Sequence, residues 1–396
     1  MSLSYRNEPY NIPSYSLTGD LLAYNVCGLQ YRYHNRGSLP PSRPVQLWFG
    51  EFIHGVMDEA YRRWRVPQAS GPLPSFPWPW KPTVFDVEQY VVARLAAKGL
   101  NPLSNLWDKT GANQLLASQR TELAINTWGK QLFPLIQEAE LLLQGIRLMP
   151  RPLVATVARS DYYEIKGVVD VLSSVRLASA PTGNAVLSAL GADPTCGQSI
   201  ANSASGTFEV IVDYKGTRRP PTLVIDRKSS HFGQPNPEWL AYEWQVLTYA
   251  WLRSQQPGSQ PVLAGILLFL NELAPSDGDL ADLKLDVSLG STDLMPLGAD
   301  LQAIRNWKPG KPCPLSQQFL VGRSIRIVPV LPATVQGSLT NFDAVVQQIE
   351  TSVLREMAGS GIVGNWVARP ERRTCTACDF RTFCPSSAQP GPPSVP

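Results

Sequence analysis

Cys375, Cys378 and Cys384, in the stretch "TCTACDFRTFC", constrain this chain more than any other feature. Two residues between the first pair allow a tight turn, and the next five let the chain curl back, so the three thiols can converge on one soft metal. Structural zinc sites and iron–sulfur clusters usually take four protein ligands, so the fold has to bring one more from elsewhere. Of the other cysteines, Cys196 sits in a run of small residues and Cys313 in "KPGKPCPLS", and both read as bystanders. Cys27, in "LLAYNVCGLQYRYHNRG", is the remaining candidate. Six cysteines in 396 residues are too few for a secreted disulfide framework, and clustered thiols in a reducing compartment more often bind metal.

That compartment is the one the rest of the sequence predicts. No apolar run is long enough to cross a membrane, and the opening "MSLSYRNEPYNIPSYS" lacks the charged-then-apolar plan of a secretion signal. A soluble, cytoplasmic protein without membrane contact is expected. With a net charge of +3 and 17% charged residues, any nucleic-acid site has to be a local patch. The stretches "YRYHNR" and "KGTRRPP" are candidates for contacting bases and phosphates.

Periodicity divides the chain. "PVQLWFGEFIHGVMDEAYRRW", "VFDVEQYVVARLAAKG" and "SQRTELAINTWGKQLFPLIQEAELLLQGI" carry apolar residues at helical spacing, with a rigid proline- and tryptophan-rich loop over 67–82 between the first two. "RPLVATVARSDYYEIKGVVDVLSSV" reads as two strands. The small-residue segment that follows reads as a long mobile hairpin loop. Strands resume at "TFEVIVDYKG" and "TLVIDRKSS", then a helix at "PEWLAYEWQVLTYAWLRSQ", a buried strand at "PVLAGILLFLNEL" and a last long helix over 340–358. The result is an α/β chain.

If the strands at "IKGVVDVLSSV" and "FEVIVDYKG" pair as a hairpin, Asp170 and Asp213 become cross-strand neighbours, and Lys215 falls on the same face as Asp213. Like charges so close are costly unless a cation lies between them, and hard oxygen ligands favour Mg²⁺ or Mn²⁺. Two carboxylates, a cation and a lysine are the apparatus of phosphodiester hydrolysis. A second D-x-K, Asp226 and Lys228, lies nearer the helix that carries Gln245. Hairpin symmetry with Asp170 favours the first pair, proximity to Gln245 the second, and the residues leave both open. Gln245 and Tyr249 share one face of that helix and could reach a bound water or a phosphate. His54 stands in a helix, with Gly50 expected to allow a close approach and Asp58 one turn on; facing the carboxylates, its imidazole would complete a metal shell. His34 and His231 have no such setting.

In this order, "SYSLTGDLLAYNVCGLQYRY", "GEFIHGVMDEA", "GVVD", "IVDYKG", "WQVLTYAWL" and the terminal C-x2-C-x5-C resemble the RecB-like branch of the PD-(D/E)xK nucleases, and within it the iron–sulfur members such as the AddB nuclease domain and the CRISPR-associated exonucleases. The resemblance covers most of the chain. It implies a restriction-endonuclease-like core with a central mixed sheet flanked by helices, an N-terminal helical region and a C-terminal iron–sulfur clasp. In residue terms it implies a helical region over 1–150 with the first cluster cysteine and the histidine motif, the nuclease core over 151–275, an elaboration over 276–340 and the last helix and cysteines over 341–385, while the composition of "SSAQPGPPSVP" reads as a disordered tail over 386–396. It further implies that Cys27 joins Cys375, Cys378 and Cys384 on a [4Fe–4S] cluster, that His54, Asp170 and Asp213 hold Mg²⁺ or Mn²⁺, and that Lys215 is catalytic with Gln245 and Tyr249 in support. Zinc in the same four thiolates is the rival. The implied substrate is DNA, at ends or in single strands, and the implied partners are a helicase, recombination or CRISPR/defence protein. A different class, a non-catalytic DNA-binding or scaffold subunit of such an assembly, would keep the same fold.

Overall fold

A computed structural model describes residues 12–35, 45–66, 75–100, 106–108, 110–154, 158–203, 205–225, 232–376 and 378–388. The chain is α/β, with one mixed, open sheet of six strands flanked by helices. The short strand β1 (Ser14–Ser16) leads through a wide π-helical turn (Leu17–Leu22) into α1 (Ala23–Val26) and α2 (Gly28–Asn35). Then come α3 (Val45–Arg65), α4 (Phe85–Ala97), α5 (Leu116–Ala124) and the single turn α6 (Lys130–Leu132). Here the structure corrects the sequence reading. The helical spacing over "SQRTELAINTWGKQLFPLIQEAELLLQGI" stops at Pro134, which lacks the N–H a helix would need, and Ile136–Leu148 is strand β2.

Strand β3 (Tyr162–Arg176) is one long strand where two were expected. The small-residue segment after it is not a loop. It forms α7 (Ala185–Ala192) and α8 (Pro194–Ala201), whose first N–H groups are capped by the Asn184 and Asp193 carboxamide and carboxylate oxygens; Pro194 follows its cap at the first helical position, where it costs no hydrogen bond. Strand β4 (Thr207–Lys215), helix α9 (Pro237–Ser254) and strand β5 (Val262–Phe269) follow as expected. The elaboration contains α10 (Asp277–Leu289), α11 (Gly298–Asn306) and α12 (Gln317–Ser324) around a small core of its own, and then β6 (Ile325–Pro329), which joins the main sheet. The last helices are α13 (Pro332–Met357), α14 (Ile362–Asn365) and α15 (Arg372–Thr376).

The long β3 organises the sheet. One of its edges carries β2 antiparallel, while the other carries β1 in parallel at 164–166 and β4 antiparallel at 171–176. Residues 167–170 therefore lie in a fork between β1 and β4. At the same level both β2 and β3 change face. Val169 and Leu141 pack into the core under α9 and α13, whereas Val171 and Ala139, two residues away, pack into the core under α3 and α5. Two residues along a regular strand should share a face, so the chain is irregular here, and Glu140 adopts a left-handed φ of 51°.

Helix α9 is pinned to β4 by a buried pair, Arg253 donating at 2.7 Å to Glu209. Arg253→Met should strand the Glu209 charge and cost about 3–5 kcal/mol, read as a lowered midpoint in urea with unchanged slope.

Candidate active site

The fork holds the predicted constellation. Continuing the Val171–Val212 register by one step sets Asp170 opposite Asp213, and the alternation of β4 brings Lys215 to the same side. Helix α3 reaches in with His54, whose Nδ1 lies 3.2 Å from Asp170 Oδ1. The Tyr214 backbone N–H donates to Asp170 Oδ2 at 2.8 Å and fixes its rotamer. Lys215 Nζ lies 2.7 Å from Asp213 Oδ2 and donates to Gln245 Oε1 at 2.8 Å. Gln245 in turn donates through Nε2 to the Tyr249 hydroxyl at 3.0 Å. His54, Asp170, Asp213, Lys215, Gln245 and Tyr249 all line one cleft of about 620 Å³. Asp226 and Lys228 lie outside the described residues, as does His231. Among the described residues, the D-x-K pair beside Gln245 is Asp213 and Lys215.

The electrostatics are those of a crowded anionic site. Burial raises the Asp213 carboxyl, the Lys215 ammonium opposes that and the Asp170 charge adds to it, leaving it at about 6. Burial alone would depress His54, but the adjoining Asp170 carboxylate and, farther off, Asp213 outweigh it and push the imidazole up to about 9. Burial works against ionised Asp170 too, and the His54 imidazolium holds its carboxyl below the usual range. Burial pushes the Tyr249 hydroxyl well above its ordinary value, so it stays protonated. Asp213 Oδ2 is buried and, although close to Lys215, has no aligned hydrogen-bond donor. A lone pair so placed suits a cation, which would also relieve the repulsion between the carboxylates.

The second cluster lies at the joined chain ends. Leu29 N–H donates to the Val367 carbonyl at 3.2 Å, Arg32 forms a buried pair with Glu356 at 2.6 Å, and Tyr33 packs on Phe380 and Phe383. Gly28 is tight against that junction, since a Cβ there would lie 2.9 Å from the Val367 oxygen. Cys27, Cys375, Cys378 and Cys384 line a single cavity at this junction. Burial pushes the Cys378 thiol up to about 11, opposed by a backbone hydrogen bond from Phe380 and reinforced by the Cys27 and Cys384 thiols. Among the described residues, no group of three or more His, Cys, Asp or Glu side chains forms a preset cage for one ion. The four thiols ring a cavity instead, and as a donor set they suit a soft metal or a cluster. Cys196 is buried in α8 and Cys313 exposed in a loop, both away from this junction.

Other expectations fall differently. A Cβ at Gly50 would meet nothing within 4 Å; the tight glycine of α3 is Gly55, where a Cβ would stand 2.8 Å from the Arg94 guanidinium. Asp58 pairs with Arg62 at 3.1 Å. His34 packs on Phe380 near the cysteines. Within the basic stretches, Arg218 pairs with Asp286 and Arg219 with Asp293, holding α10 and the loop after it, and Tyr31, Arg32 and Tyr33 are buried, Arg32 against Glu356. Lys215 of the same run as Arg218 faces the cleft, and Arg36 lies outside the described residues. Two contributors escaped the sequence reading. Tyr242 lies beneath Lys215 Nζ, 4.5 Å from ring centroid to nitrogen. Glu51, one helical turn before His54, also lines the cleft, and its i, i+3 spacing in "GEFIH" was the available signal.

Gly167 gives the site a sensitive point. A Cβ there would stand 2.5 Å from the Tyr249 ring, which supports Gln245. Gly167→Ala should cost about 1–3 kcal/mol of stability through overpacking and lower activity by displacing Tyr249, a pairing checked by urea unfolding alongside turnover.

No protein-family model matches the chain, and no curated protein matches it.

Proposed function

We propose that this chain is a divalent-metal-dependent deoxyribonuclease of the RecB-like PD-(D/E)xK type, acting on DNA ends or single strands, with its two ends clasped by a [4Fe–4S] cluster. The observation that carries the reading is the convergence of His54, Asp170, Asp213 and Lys215 in one cleft from three separate elements. Asp170 and Asp213 would supply hard oxygen donors and His54, once its proton is displaced from the contact with Asp170, an imidazole nitrogen; these are donor types that Mg²⁺ or Mn²⁺ takes, and the three side chains would have to draw together around the ion. Bound there, the ion would polarise a phosphate oxygen and make water a stronger nucleophile.

The chain's own groups do the rest. Lys215, held by Gln245 and backed by Tyr242, presents its ammonium toward the cleft and is placed to stabilise charge on a phosphoryl oxygen. Tyr249 fixes Gln245 and so fixes the lysine. In the overall step a water oxygen bonds to phosphorus, the P–O3′ bond breaks, the water proton passes to solvent and the leaving oxygen is protonated. At the clasp, four thiolates match the ligation of a cubane cluster, with zinc the competing occupant.

The test is cleavage of end-labelled DNA, single-stranded and duplex, in Mg²⁺ or Mn²⁺ and in chelator, by the native chain and by Asp170→Ala. Metal-dependent cleavage lost in the variant, with DNA binding retained, is the expected result; equal cleavage by both proteins refutes the assignment.

A further inference from the structure

Helix α3 packs its turn over residues 49–54 onto the end of β4. A Cβ at Gly216, the residue after Lys215, would lie 3.2 Å from Ile53 and 3.3 Å from Phe49. Those apolar contacts seat the helix, and the face beside them carries Glu51 and His54, which both line the cleft. At i, i+3 their Cβ atoms stand about 5–6 Å apart, and the His54 ring meets Asp170 at 3.2 Å. The Glu51 carboxylate is therefore within reach of a water in the cleft. It is exposed and, among the described residues, has no hydrogen-bond or ion-pair partner.

A water that attacks phosphorus must lose a proton, and the other titratable groups of the cleft are engaged. Asp170, Asp213 and His54 are the donors assigned to the ion. Lys215 lies 2.7 Å from Asp213, donates to Gln245 at 2.8 Å and stands over the Tyr242 ring, so its nitrogen serves as a donor. Burial keeps the Tyr242 and Tyr249 hydroxyls protonated. Lys166 on β3 is a cation, and so is Arg120, which reaches the Phe49 ring from α5 and is paired with Asp279 at 2.7 Å. One acid is left.

We propose that Glu51 is the base that takes the proton of the attacking water. This role rests on the nuclease reading. The water O–H bond breaks toward a Glu51 carboxylate oxygen as the O–P bond forms, the P–O3′ bond breaks and the leaving oxygen takes a proton from solvent. Because Glu51 is exposed, it returns its own proton to solvent before the next turnover. A positioned base of this kind contributes about 10²–10⁴-fold to rate.

The test is single-turnover cleavage of end-labelled DNA in saturating Mn²⁺ over a range of pH, by the native chain and by Glu51→Gln, beside Mn²⁺ titration of both by electron paramagnetic resonance. Substitution of an exposed side chain without partners leaves the fold intact. The expected result is a rate lower by about 10²-fold or more at neutral pH, a deficit that shrinks as pH rises because hydroxide needs no base, and unchanged Mn²⁺ binding. A rate within about threefold of native overturns the role, as does a deficit of the same size at every pH. Mn²⁺ binding lost along with cleavage overturns it too, by making Glu51 a ligand to the ion. If the native chain cleaves no DNA, the nuclease reading fails and the role falls with it, whereas native cleavage that persists in Glu51→Gln removes the base alone.

Discussion

Asp213→Ala should lower metal-dependent DNA cleavage by about 10³-fold or more, roughly 4 kcal/mol of transition-state stabilisation. The carboxylate stands opposite Asp170, its Oδ2 is buried without an aligned donor, and its neighbour Lys215 is the one that Gln245 holds. On the proposed reading its removal takes away a metal ligand and leaves Lys215 held by Gln245 alone. Asp213→Asn keeps the volume and should lose comparable activity, which separates chemistry from packing. Asp226→Ala belongs to the rival D-x-K and should stay within about threefold of native turnover. Single-turnover cleavage with saturating Mn²⁺ checks all three. Full activity in Asp213→Ala, or its loss only in Asp226→Ala, would transfer the site to the other pair.

Cys27→Ser should remove the clasp metal and lower stability. The loop it closes runs from residue 27 to residue 375 and is nearly the length of the chain. Chain-entropy arguments give a covalent closure of about 350 residues roughly 6 kcal/mol. With about 2.1 cal/mol/K of unfolding entropy per residue, that corresponds to a fall in Tm of about 7 °C. The apolar junction of Tyr33, Phe380 and Phe383 persists in the variant, so the ends should loosen rather than separate. Iron, sulfide and zinc analysis of protein purified without air, beside the thermal midpoint, reads both effects. Cys375→Ser should match Cys27→Ser, and Cys313→Ser should match the native chain. Iron and sulfide retained in full by Cys27→Ser would place the fourth ligand elsewhere, and zinc in place of iron would keep the clasp while weakening the likeness to iron–sulfur nucleases.

Much of the site could be read from the residues. Alternation in "IVDYKG" is a local property, and it placed Asp213 and Lys215 on one face before any partner strand was known. The i, i+4 spacing of Gln245 and Tyr249 likewise survives folding. What stayed hidden depends on neighbours distant in sequence. "IQEAELLLQGI" has helical spacing, and it becomes strand β2 because β3 offers a long edge to pair with. The matched change of face at Glu140 and Asp170 has no signature in either segment alone, because it exists only where the two strands meet. Arg218 and Arg219 of "KGTRRPP" look free until Asp286 and Asp293 arrive from the elaboration to pair with them. For α7 and α8 the signals were present, in Asn184 and in Asp193-Pro194, but small-residue composition masked them.

The claim everything else depends on is that Asp170 and Asp213 form a hard-cation site. Electron paramagnetic resonance titration of the chain with Mn²⁺ measures this directly, since bound Mn²⁺ loses the sharp signal of the free ion. Saturable binding of Mn²⁺ that is abolished in Asp170→Ala and Asp213→Ala and kept in Cys375→Ser is the predicted result. Binding that is absent from the native chain, or unchanged when both carboxylates are removed, would contradict the account.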